Sequence, residues 1–380
     1  MTRQDADVLV IGLGAWGSAA LWRLRQRGVD VIGVERHGIG HAFGSSHGGS
    51  RMFRITCLEH PGLVPLARRS LALWRELETT AGSHLFHPVG GLLIGPEDGK
   101  TVGGTLRAAA EHGVDVERLA AADLRARYPQ HTGLHPDHIG VWEPSAGILR
   151  PEAAVRAAVR LAEAGGARIH PHTTVTGIEL IPGGVLVHTP ARTFRTGQVV
   201  VTAGAWLPTL VPGLPLDAIR MPINWFAPDG DREPFALHRF PVFMRQLDDG
   251  RVLWGNGREG EHEVKLGLED GGDDPRPFDL DGEDRSVSAS DWQALTPLLP
   301  EVLPGLDPVP AKVAVCMFSR TPDGQFVLGR PRRDPRLVIA GGCNAHGAKH
   351  ATGIGDVLAD LVLGRDPVCA LGFTDPNRFG

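Results

Sequence analysis

Three glycines open the chemistry of this chain. Gly12-Leu13-Gly14-Ala15-Trp16-Gly17 has G-x-G-x-x-G spacing. In such a loop the first glycine permits a tight turn, the second lets backbone approach a pyrophosphate, and the third lets a helix pack closely on a strand. Glu35 follows 18 residues after Gly17, where an acid closing the next strand reaches a ribose hydroxyl pair. An acid at that point favours an unphosphorylated adenosine ribose, and so FAD or NAD over NADP. The four cysteines, Cys57, Cys316, Cys343 and Cys369, form no C-x-x-C pair. A metal cluster built on cysteine pairs is therefore excluded, and a disulfide framework is not expected in so long a chain. Each cysteine on its own reads as a small buried hydrophobe. His346 and His350 stand four apart, a spacing that suits metal ligation on a helix. No third ligand accompanies them and Lys349 between them repels a cation, so no metal is expected.

The elements that must hold these residues are readable around them. Asp7 to Ile11 is an apolar strand rich in branched residues, Ser18 to Arg27 a helix stopped by Gly28, and Val29 to Glu35 a second strand. This is the layout of a dinucleotide-binding βαβ unit, with the helix N-terminus facing the phosphates. From Pro61 to Glu78, Leu63, Leu66, Ala67, Leu71, Trp74 and Leu77 recur at helical spacing. Ala153 to Ala164 is another helix, stopped by Gly165-Gly166. Branched segments at 174–180 and 184–188 precede the strand Val199-Val200-Val201, which leads into Thr202-Ala203-Gly204-Ala205-Trp206. Strands with long loops are predicted for Met221–Phe226, Val242–Arg245, Val252–Trp254 and Val313–Phe318. A last strand, Leu337–Ala340, opens into Gly341-Gly342 and a helix from about His350 to Leu363. Residues 269–285 carry eight acids and read as a solvated loop rather than a cation site. Nucleotide-type segments at the start, middle and end alternate with strand-rich stretches, so the chain is expected to visit one domain three times and a second twice.

Composition bounds the answer. With 39 Lys and Arg against 44 Asp and Glu the net charge is -5, which argues against a nucleic-acid binder. Hydrophobic residues are 42% and charged residues 22% of 380, as in a chain that buries a large core. Fifty glycines and 30 prolines point to many tight turns but fall short of low-complexity disorder. Val8 to Trp22 is too short and too glycine-rich to span a bilayer, and Asp5 and Asp7 spoil a basic leader. A cytoplasmic protein with reduced thiols and no membrane partner is expected, and nothing requires more than a monomer.

Beyond the glycine loop the sequence resembles the monomeric sarcosine oxidase and N-methyltryptophan oxidase group of flavin amine oxidases over nearly its whole length. The residues that carry the likeness are Gly12 to Ala20, Gly44-Ser45-Ser46-His47-Gly48-Gly49-Ser50-Arg51-Met52-Phe53-Arg54, and Val64 to Ser70 with Leu73 to Glu78. Thr202 to Trp206, Lys265-Leu266-Gly267, Cys316-Met317 and Ala345-His346-Gly347-Ala348-Lys349 follow in the group's order. The resemblance implies an α/β fold. A Rossmann-type FAD-binding domain (1–86, 147–218 and 322–380) is joined to a strand-rich α+β substrate domain (87–146 and 219–321). It also implies FAD contacts from Gly12, Gly14, Ala15, Trp16, Gly17, Glu35, Ser46, His47, Ser50, Arg51, Ala203, Gly204, Trp206, Cys316, Met317, Ala345, His346, Gly347 and Lys349, with Cys316 in a covalent thioether.

The activity implied is oxidation of an amino acid, above all a secondary amine, by hydride transfer to the flavin. An imine results, and O₂ then becomes hydrogen peroxide. Arg54 and Lys349 match the group's carboxylate clamp; a guanidinium grips a carboxylate bidentately and an ammonium adds a compact charge. Lys265 matches the lysine that activates dioxygen, where a fixed cation stabilises charge developing on oxygen. His47 and Arg51 match cations near the ring. The pocket departs from the sarcosine-oxidising members: Glu269 replaces a histidine, and Trp254 and Phe318 replace two tyrosines. Glu269 either draws a cationic group into the pocket or begins the acidic loop and points to water. Two other activities stay open: oxidation of a cyclic or primary amino acid in a biosynthetic pathway, and a dehydrogenase that uses another electron acceptor.

Overall fold

The computed structural model describes residues 4–269, 276–282 and 284–379; part of the acidic segment 269–285 therefore lies outside the described residues. The first sheet is built on parallel pairings. The strand Ala6–Ile11 pairs in parallel with Thr193–Val201 on one side and Val31–Val34 on the other. Arg168–His170 extends the sheet beyond Val31–Val34, and Leu337–Gly341 joins the far side of Thr193–Val201, also in parallel. The hairpin Gly177–Ile181/Gly184–His188 and the strand Val327–Gly329 add antiparallel edges. Parallel strands covered on both faces must be apolar throughout, and Leu9, Val10, Val31, Val199, Val200, Val201 and Ile339 are fully buried.

Helices Ala15–Gln26, Val64–Ala81, Pro151–Ala164 and Ala351–Val362 pack together beside that sheet. Their meeting point is charged. Asp356, nearly buried, accepts from Arg23 Nε and Arg69 Nε at 2.8 Å and from Arg27 Nη2 at 2.5 Å. Three guanidiniums on one carboxylate fix the helices' relative rotation, and Arg23 and Arg27 each reach a second acid, Glu76 at 3.1 Å and Asp360 at 2.8 Å.

The second sheet has eight strands in the order Lys312–Arg320, Asp217–Phe226, Val264–Leu268, Val252–Asn256, Val242–Gln246, Gly91–Pro96, His138–Glu143 and Glu117–Leu119. Its register makes the site. Residues directly opposed in an antiparallel pair share a face, and successive residues alternate. Met221 opposes Cys316 and Ile219 opposes Phe318. Trp225 opposes Lys265, Lys265 opposes Asn256, and Gly267 opposes Trp254. Trp254 in turn opposes Met244. One face therefore carries a cysteine, a lysine and a belt of aromatic and thioether side chains. A three-stranded sheet of Arg51–Phe53, Gly147–Leu149 and Phe86–His87 presents Arg51 and Arg54.

Most sequence-predicted elements shift only at their ends. The strand expected at 221–226 starts at Asp217, and the one at 313–318 runs Lys312–Arg320. The last helix begins after a 3-10 turn at Gly347–His350. Helix Lys100–His112 was not expected; two glycines, Gly103 and Gly104, interrupt its apolar periodicity.

Candidate active site

A single cavity of about 870 Å³ runs from Glu35 to Glu269. Its first part is a cradle for a dinucleotide. Gly12 has φ +84°, and a Cβ there would lie 2.7 Å from Thr202 O. A Cβ on Gly17 would lie 1.8 Å from Gly12 O, so only glycine lets the helix approach. Gly14 caps helix Ala15–Gln26 with no side chain of its own, and the Ala15 N–H donates to Ser46 Oγ at 3.0 Å. Glu35 is buried. Its Oε2 accepts from Leu13 N–H at 2.7 Å, and its Oε1 accepts from His37 N–H at 3.0 Å beside His41 Nε2 at 3.2 Å. Burial opposes its ionisation, but His41 and the two amides outweigh that and hold its pKa below the ordinary carboxylate value. It is thus a fixed anion with lone pairs for sugar hydroxyls.

Farther along, Arg51 and His47 converge on Cys316. Arg51 Nη2 lies 3.4 Å from Cys316 Sγ, and His47 stands beside the same sulfur. Burial would raise the thiol's pKa, yet His47 and then Arg51 bring it down to about 6. The thiolate is the nucleophilic form. Lys265 Nζ donates to Gly48 O at 2.9 Å and to Ser50 O at 2.7 Å. Burial, reinforced by Arg51, drives the Lys265 pKa well below that of a free lysine. The Gly48 and Gly49 amides in turn donate to Glu152 Oε1 at 2.7 and 3.1 Å, which fixes the loop that receives Lys265.

Arg54 and Lys349 come together as the sequence predicts, but not alone. Arg54 Nη2 and Lys349 Nζ lie 2.5 and 2.9 Å from the same oxygen, Glu59 Oε1. Arg54 Nη1 also donates to Thr56 O. Buried Glu143 accepts from Ile55 N–H at 2.6 Å and from Thr56 N–H at 3.1 Å, holding the turn that bears Arg54 and Glu59. Burial alone would raise the Glu59 pKa; Arg54 and Lys349 pull it well below the carboxylate range. Its other oxygen, Oε2, is buried without a partner among the described residues, and Glu59 lines the cavity.

Trp254, Phe318 and Glu269 all line the cavity, with Met244 and Met52 beside them. Glu269 is one-third exposed and accepts from Lys100 Nζ at 2.7 Å. Of the residues expected at FAD, every one lies in the cavity wall except Gly17 and His47. Gly17 sits behind the wall against Gly12, where its lack of a side chain acts; His47 backs Cys316. His346 lies near Gly324 O, 3.4 Å from its Nε2, while His350 Nε2 turns away to Cys57 Sγ at 3.8 Å. Among the described residues no group of three or more His, Cys, Asp or Glu is placed to hold a metal, and no helix is long and apolar enough to cross a membrane. Sequence reasoning missed Glu59, Glu143, Glu152, Asn256 and Lys100. The one available signal was Glu59 itself, an acid five residues beyond Arg54 just ahead of a helix start.

A glycine-turn cradle with a buried ribose acid, opening onto a sheet face that bears cysteine and lysine, defines a dinucleotide-dependent redox protein. Residues 7–361 match the family model described as FAD dependent oxidoreductase. The chain is 35% identical to a monomeric sarcosine oxidase of Streptomyces avermitilis, over 98% of this chain and 97% of that one. It is 31% identical to the N-methyl-L-tryptophan oxidase of Citrobacter koseri, over 98% and 99%. Among solved structures, an amino acid oxidase essential for nikkomycin biosynthesis superimposes with a TM-score of 0.83 at 25% identity, over 98% of both chains. An L-proline dehydrogenase from P. horikoshii shares the fold, with a TM-score of 0.84 at 20% identity over 99% and 98%. The chain belongs to the FAD-dependent oxidoreductase family.

Proposed function

We propose that this protein is an oxidase of an N-alkyl amino acid that uses O₂ as acceptor and holds its FAD through a thioether to Cys316. The observation that carries the reading is the convergence, on one cavity, of a dinucleotide cradle, a thiolate, a buried lysine and a two-cation clamp. FAD when bound accepts a hydride equivalent from the carbon beside nitrogen and passes its electrons to O₂. Arg54 and Lys349 bind the substrate carboxylate and so fix which bond faces the cofactor. Positioning of that kind is worth about 7–11 kcal/mol where the geometry is near-attack. The Trp254, Phe318 and Met244 walls exclude water, which strengthens every charge contact inside. The amine must shed its proton to have a lone pair. Arg51 supplies positive potential, and Lys265 a fixed N–H donor, where oxygen acquires charge. The two-part domain division expected from the sequence, a monomeric state and a cytoplasmic setting belong to the same reading.

Replacement of two tyrosines by Trp254 and Phe318 favours a second reading, in which a bulkier cyclic or primary amino acid fills the apolar pocket. The test is anaerobic mixing of the yellow holoprotein with N-methyl, cyclic and primary amino acids, followed by aerobic turnover. Bleaching by N-methyl compounds and stoichiometric peroxide are expected. Bleaching by cyclic or primary amino acids alone favours the second reading, and bleaching without peroxide points to a dehydrogenase with another acceptor.

A further inference from the structure

We propose, on the basis of the oxidase reading above, that Glu269 receives a cationic group at the end of the substrate side chain. The preferred substrates are then amino acids with a basic side chain, and Lys100 is the cation they displace. Lys265 and Gly267 share the cavity face of the strand Val264–Leu268 by alternation, and Glu269, the residue that follows this strand, also lines the cavity. Trp254 lies over Gly267; a Cβ on Gly267 would fall 2.1 Å from Trp254 Cζ2. Glu269 thus offers a carboxylate at the edge of an indole-covered wall, a combination suited to an alkylammonium.

That geometry already holds one. Lys100 Nζ lies 2.7 Å from Glu269 Oε2. The two partners are not equally fixed: the Lys100 side chain is 62% exposed and that of Glu269 33%. Lys100 also begins helix Lys100–His112, the end where the helix dipole disfavours a cation. The acid, tethered to the sheet, is the part of the pair that stays. One turn farther, Gly104 packs on Leu58, where its Cβ would meet Leu58 O at 3.2 Å. The helix that Lys100 begins therefore packs against the turn that bears Arg54 and Glu59. A substrate anchored there by its α-carboxylate extends its side chain along Met244 and Trp254 toward Glu269.

Non-oxidisable ligands separate this claim from the oxidase reading. The holoprotein is titrated with hexanoate, 6-aminohexanoate and hexanedioate by flavin absorbance, in wild type, Glu269→Gln and Lys100→Met. Tighter binding of 6-aminohexanoate than of hexanoate is expected in wild type. In Glu269→Gln that ratio falls to about one. In Lys100→Met it rises by up to about fivefold, since an ion pair at this exposure is no longer contested. An unchanged ratio in Glu269→Gln, a ratio that does not rise in Lys100→Met, or hexanedioate as the tightest ligand would each overturn the assignment; the last would make Lys100 the recognition element for an anion. Failure of every amino acid to bleach the flavin would sink the oxidase reading and leave these ratios standing.

Discussion

Arg54 Nη2 lies 2.5 Å from Glu59 Oε1, so the guanidinium proposed to bind a substrate carboxylate is already held by one of the protein's own. Lys349 shares that oxygen. A substrate must displace or share Glu59, and Glu59→Gln should tighten binding of simple carboxylates while weakening the fold. Removing the acid leaves two buried cations without a counter-charge, at a cost of ~3 kcal/mol. The pH dependence has a definite sign. The folded pKa of Glu59 lies below its ordinary value of 4.5, so its stabilisation is complete above that value and fades as pH falls through the lower folded one. Denaturant unfolding of wild type and Glu59→Gln should differ most near neutrality and converge in acid. A difference that stays constant down to pH ~3 would contradict this account.

Cys316 should react ahead of Cys57 and Cys369 in protein prepared without flavin. Its pKa is lowered to about 6, whereas burial pushes Cys57 up to about 12 and Cys369 to about 11. Alkylation by iodoacetamide should rise through pH 6 and then level, because the thiolate does the chemistry. Arg51→Gln should move that midpoint upward, since a cation 3.4 Å away is removed. In the holoprotein, Cys316→Ala should release its flavin on acid precipitation. Flavin remaining with the denatured variant would refute the thioether.

Lys265→Met should slow reoxidation of the reduced flavin by O₂ while sparing reduction by substrate. Loss of one preorganised electrostatic partner costs about 10²–10³ in rate, and Lys265 is anchored by Gly48 O and Ser50 O where no bulk water can replace it. Stopped-flow measurement of the two half-reactions separates them. Equal reoxidation rates in the two proteins would remove the oxygen role from this residue.

What could be read from the sequence follows the range of the physics. The βαβ unit was legible because its glycines, branched strands and closing acid are all local, and Glu35 meets the Leu13 amide as that layout requires. The cavity face of the second sheet was not. Its register, which sets Lys265 against Trp225 and Asn256 and Cys316 against Met221, comes from pairings between distant segments. Glu59 escaped for a related reason: its partner Lys349 is 290 residues away, and nothing near either residue announces the other. Lys100 was hidden because Gly103 and Gly104 mask the helix that carries it.

Gly17 offers the sharpest test of the cradle, because its role is steric and it lies behind the cavity wall. A Cβ at this position would lie 1.8 Å from Gly12 O and 2.4 Å from Thr202 Oγ1. Thr202 Oγ1 itself donates to Gly12 O at 2.8 Å, so neither neighbour can yield without breaking the turn that faces the pyrophosphate. Gly17→Ala should therefore cost about 1–3 kcal/mol of stability through overpacking and weaken FAD binding far more than this loss alone explains. The comparison that checks it is Gly49→Ala, at a position where an added Cβ meets nothing within 4 Å although its φ of +76° imposes backbone strain. Strain without a clash should lower the melting temperature of Gly49→Ala yet leave its flavin content near that of wild type. Equal flavin loss in both variants would mean that the cradle fails through general destabilisation and not through displacement of the Gly12 turn.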